Sequence, residues 1–106
     1  MGLFGSVSSK AVDEFAKSLA LEIAKRYPPA LDQGSGERRL SQKRLTAILE
    51  DAYQKAIEFK TQHKLGVYKK ARLGNAFRWE LEELGYSKKF IETATEGLVV
   101  YITRKE

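Results

Sequence analysis

His63 is the single histidine of a 106-residue chain that contains no cysteine, so few side chains are available for covalent or acid–base chemistry. A catalytic imidazole needs a nucleophile and an orienting carboxylate beside it. The sequence places neither next to His63, which falls on an apolar stripe one turn past Phe59. There it suits a core edge near a helix C-terminus, where positive charge is favoured by the helix dipole. A di-iron bundle would need Glu-x-x-His pairs, but residue 60 is Lys. Glu92 and Glu96 share a helix face and are expected in solvent. Asp13–Glu14, Glu50–Asp51 and Glu82–Glu83 are adjacent pairs, about 100° apart around a helix, and poorly placed as an acid/base couple. The absence of cysteine also removes disulfides and thiolate metal sites. The expectation is a protein that is not an enzyme, with no cofactor and no metal.

Anion binding is the second chemistry the residues allow. The chain carries a net charge of +5, and the excess lies in its middle third: residues 37–72 hold ten basic and four acidic groups. Arg38, Arg39, Lys43 and Arg44 crowd the start of one predicted helix, and Lys69, Lys70 and Arg72 the start of the next. Cations at a helix N-terminus oppose the dipole, so they are either tolerated in solvent or met by an anionic partner. Gathered on one surface, these seven residues would form a nucleic-acid patch whose affinity falls steeply with salt. The stretch "QGSGERR" (33–39) has glycines and arginines but lacks the Gly-x-x-x-x-Gly-Lys pattern and a preceding strand, so it reads as linker. Ser41 within "ERRLSQ" fits a basic-directed phosphorylation pattern, yet it is already needed as a helix cap. "MGLFGS" formally matches an N-myristoylation pattern; the plainer reading is an N-terminal arm, residues 1–7, packed by Leu3, Phe4 and Val7.

The elements that must position these groups are all helical. Apolar residues recur at spacings of three and four in four segments. The first, about 8–27, carries Val12, Phe15, Ala16, Leu19, Ile23 and Tyr27 on one face and is stopped by Pro28 and Pro29. The second, about 41–65, is capped by Ser41, striped by Leu45, Ile48, Leu49, Ala52, Ala56 and Phe59, and expected to end on Gly66. The third, about 67–84, is striped by Leu73, Phe77, Leu81 and Leu84, with Gly74 beside the stripe and Gly85 as its stop. The fourth, about 87–104, shows Phe90, Ile91, Ala94, Leu98, Tyr101 and Ile102. Its β-branched end and Gly97 favour part strand over 98–103; a lone strand leaves its backbone unpaired, so helix is expected. Residues 28–40, with both prolines and two glycines, are expected as a flexible loop. The fold class is all-α: one domain over 1–106, a compact four-helix bundle. No apolar run approaches the ~20 residues that span a bilayer. No basic n-region precedes a long apolar core, so a secretory signal is not expected. A cysteine-free chain suits the cytoplasm.

With the helices in place, "VYKKARLGNAFRWELEELGYS" (67–87) splits by face. Leu73, Phe77, Leu81 and Leu84 point one way; Tyr68, Arg72, Asn75 and Trp79 fall on the other side. Trp79 either packs against the first helix or the N-terminal segment, or anchors a partner, since exposed tryptophan and arginine dominate binding hot spots. Base stacking would need several aromatics on one open surface. A helix-turn-helix over 77–98 is disfavoured by Leu81, where a small residue belongs, and by a second helix running into "LVVYI". The expected function is a small protein-binding or self-associating module, homodimeric or with another protein. Its interface would be Tyr68, Arg72, Asn75 and Trp79. The alternative is a nucleic-acid-associated basic protein.

Overall fold

A computed structural model describes residues 7–33 and 41–104 of the chain. The order is α1 (Ser9–Arg26), α2 (Pro29–Gln33), α3 (Gln42–His63), α4 (Val67–Leu84) and α5 (Lys88–Thr103). The expected helical bundle is what forms, and the described residues include no strand. The segment considered for a strand is the C-terminal part of α5, helical to Thr103.

Three serines start the long helices as capping chemistry requires. Ser8 Oγ accepts from Ala11 N at 3.0 Å, Ser41 Oγ from Arg44 N at 3.1 Å and Ser87 Oγ from Phe90 N at 3.1 Å. Each satisfies a backbone donor that the helix itself leaves unpaired. Gly85 ends α4 with φ 96°, a left-handed conformation that costs glycine nothing.

Two expectations about breaks are corrected. Gly66 does not cap α3. Lys64 does, with φ 50° and ψ 55°, and Gly66 is the extended residue that starts α4. The Leu65 N–H donates to Lys60 O at 3.1 Å, closing the helix end while Leu65 itself is buried. The loop 28–40 is not wholly irregular either. Pro29 opens the short α2, a position where proline's missing N–H is no loss. Asp32 ties that turn down, accepting from Tyr27 Oη at 3.0 Å and from Ser87 N at 2.6 Å. Residues 34–40, like the arm residues 1–6, lie outside the described residues. Val7, the last residue of that arm, packs against the core.

Contacts fix the directions of the helices. Arg26 meets Asp51 at 2.7 Å, Glu22 meets Lys55 at 3.1 Å and Phe15 stacks on Phe59 at 4.1 Å, so α1 and α3 are antiparallel. Asp13 meets Arg72 near the starts of α1 and α4, and Tyr27 meets Tyr86 near their ends, so these two run parallel. α5 turns back along α4 and α3. The four long helices therefore form a ring in the order α1, α4, α5, α3. Val12, Leu19, Ile23, Leu73, Phe77, Leu81, Leu98 and Ile102 fill its centre and are almost fully buried. Burying each such side chain is worth about 1.5–3 kcal/mol, which is why the apolar stripes decide the fold.

Two glycines mark close approaches. A Cβ on Gly74 would lie 3.1 Å from Val99 Cγ2, so α4 and α5 pack tightly there. Gly97 faces the ring of Tyr53, which is absent from the α3 stripe read from the sequence. Tyr53 Oη donates to Ala94 O at 2.8 Å across the α3–α5 seam, and burial pushes its pKa well above the usual tyrosine range. Tyr86 is likewise buried, donates to Tyr27 O at 2.5 Å and is raised by burial.

Candidate functional site: the outer face of α4

α4 presents its apolar stripe inward and a second stripe outward. Phe77 is 0% exposed, whereas Trp79, two residues on, is 56% exposed and Tyr68 is 67% exposed. Trp79 therefore does not pack into the core against α1. It lines a shallow groove of about 440 Å³ together with Tyr68, Arg72 and Asn75, flanked by Asp13 and Glu80. The four residues expected as an interface are thus brought together.

The groove has one fixed charge pair. Arg72 Nε donates to Asp13 Oδ1 at 2.9 Å and Arg72 Nη2 to Asp13 Oδ2 at 2.8 Å, a bidentate fork from α4 to α1. The bond to Arg72 holds the Asp13 carboxyl below its ordinary range, against a smaller opposing effect of burial. Arg72 is in turn held in its charged form, first by Asp13 and then by the neighbouring Tyr68 hydroxyl. Both partners remain partly in water, so the pair orients the guanidinium more than it stabilises the fold. Nothing local in the sequence links residues 13 and 72, so this role of Asp13 emerges only where α1 meets α4.

The expected basic patch does not assemble in the same way. Lys43 and Arg44 are exposed in the first turn of α3, and Lys69 and Lys70 are half-exposed in the first turn of α4. The length of α3 separates the two pairs, about 30 Å at 1.5 Å per residue. Arg72 is committed to Asp13. Arg38 and Arg39 lie outside the described residues. Lys43 and Arg44 are thus held at the opposite end of the bundle from Lys69 and Lys70.

His63 is half-buried with its ring 4.6 Å from Phe59, at the C-terminal edge of α3. Glu92 and Glu96 are exposed on α5. Among the described residues no three His, Asp or Glu side chains converge as metal ligands, and no helix is long and apolar enough to cross a membrane. No protein-family model, curated protein or solved structure matches this chain.

Proposed function

We propose that this chain is a small, non-catalytic protein-interaction module of the cytoplasm, binding through the outer face of α4. The observation that supports this is the exposure of Trp79 beside Tyr68 over a groove in which the Arg72 guanidinium is oriented by Asp13. Leaving two large aromatics in water forgoes the burial that an ordinary helix would have used. A protein partner that covers them recovers it, and tryptophan with arginine at the centre of a patch is the composition of a binding hot spot.

The test is the association behaviour of Trp79→Ala. Helicity should match the wild type, while association, with itself or with another protein, is weakened. Equal association in the two proteins would remove this face from consideration. Titration with single- and double-stranded oligonucleotides at two salt concentrations covers the other partner class. A saturable, salt-weakened change in Trp79 fluorescence would replace this reading with phosphate binding.

A further inference from the structure

We infer that the partner of this face is a second copy of the chain, with the two α4 helices packed antiparallel about a two-fold axis near Asn75 and Ala76. The inference rests on the reading of the Trp79 face as an interface, and it is carried by the charge pattern of α4. Residues 67–72 include Lys69, Lys70 and Arg72 and no acid, while residues 80–83 include Glu80, Glu82 and Glu83 and no base. Arg78 lies between them, 4.0 Å from Glu82. This segregation is adverse within one helix, because cations sit at the positive N-terminal end of the dipole and anions at its negative end. Among the described residues Lys69, Glu80 and Glu83 have no ion-pair partner that would offset it. An antiparallel second α4 reverses the situation at both ends at once, setting each basic end against an acidic end and opposing the two dipoles. A parallel pair would stack like on like.

The outward stripe fits the same axis. With Asn75 and Ala76 at the centre, Arg72 comes opposite Trp79 of the second copy, Tyr68 comes opposite its Glu83, and Lys69 comes opposite its Glu82 with Glu83 adjacent. Asp13 binds one edge of the Arg72 guanidinium through Nε and Nη2, which fixes the plane that an indole would stack on. Two-fold symmetry forms this contact twice. The central residues Ala71, Asn75 and Ala76 are small enough for close helix approach. A single pair of 18-residue helices, about 27 Å long, makes an interface at the small end of the specific range, so dissociation constants of about 1–100 µM are expected.

Sedimentation equilibrium on the full chain up to about 1 mM, well above that range, tests the proposal. Wild type should dimerise. Lys69→Glu and Glu83→Lys should each dimerise about tenfold more weakly or worse, and an equimolar mixture of the two should recover wild-type affinity. Both reversals improve the match to the α4 dipole, so their melting temperatures should hold or rise, which separates lost pairing from lost folding. Trp79→Ala should weaken the dimer about 30-fold. A wild type that stays monomeric overturns the dimer, while the α4 face could still serve a different protein. Dimerisation indifferent to Trp79 and to both reversals overturns the α4-mediated arrangement and the proposed face together. Lys69→Glu binding wild type more tightly than wild type binds itself would indicate parallel helices and overturn the antiparallel arrangement.

Discussion

Replacing Gly97 with Ala should destabilise the fold, although alanine is the better helix former. A Cβ at this position would lie 2.8 Å from Cζ and 2.9 Å from Cε2 of Tyr53, and closer still to its hydroxyl oxygen. Tyr53 has little room to yield. It is 5% exposed, its ring packs 4.8 Å from Tyr101 and its hydroxyl is bonded to Ala94 O. Overpacking of this kind costs about 1–3 kcal/mol. Displacing the hydroxyl from its buried acceptor adds about 1 kcal/mol. The helix propensity of alanine returns about 1 kcal/mol. The net is a loss of about 2 kcal/mol, or about 10 °C in melting temperature for a chain of this size. Thermal and urea unfolding followed by far-UV circular dichroism would measure it. Tyr53→Phe removes the atom that comes nearest, so the double variant should lose less than the sum of the single variants. Gly74→Ala is the control: its Cβ would meet a single atom, Val99 Cγ2 at 3.1 Å, on a side chain partly in solvent, so it should cost less than Gly97→Ala. A Gly97→Ala protein that melts above wild type, or strict additivity with Tyr53→Phe, would refute the packing argument.

Three further outcomes are expected. Phe77→Ala should cost about 3–5 kcal/mol and Trp79→Ala less than about 0.5 kcal/mol in chemical denaturation of the monomer, because one ring fills the core and the other faces water. Asp13 has a depressed pKa in the folded state, so its contribution is fully present above the unfolded value of about 3.9 and fades as pH falls through the lower folded value. Asp13→Asn should therefore be slightly less stable than wild type at neutral pH and indistinguishable from it at strongly acid pH, as read from urea midpoints across the acid range. Lys64→Gly should stabilise by about 0.5–1 kcal/mol, since φ 50° strains a lysine and not a glycine; a fall in the melting temperature would show that the lysine side chain contributes more than its backbone costs.

Much of the fold was legible from local pattern. The serines at 8, 41 and 87, the glycine at 85 and the apolar stripes identify the four long helices. These signals act within a helix or at its ends, so no tertiary partner is needed to read them. The division of α4 into a Phe77 face and a Trp79 face follows from 3.6-residue periodicity for the same reason. Periodicity could not show which face meets a neighbour. It left Trp79 open between core and surface, and only the packing of α4 between α1 and α5 decided it.

The tertiary structure settled whatever depends on residues far apart in sequence. Gly97 looks like a weakness in α5 until Tyr53, 44 residues earlier, is seen against it. Asp32 turns part of the expected loop 28–40 into α2 because Tyr27 and the distant Ser87 both donate to it. Lys64 takes the cap position expected of Gly66, with Leu65 buried beside it. Lys43 and Arg44 belong to the same basic third of the sequence as Lys69 and Lys70, yet α3 carries the two pairs to opposite ends of the bundle. The sequence by itself determined which segments are helical and which side of each is apolar, because both follow from short-range sterics and burial. Only the tertiary structure decided which side chains meet, because helix direction and neighbour are set by the packing of the whole core.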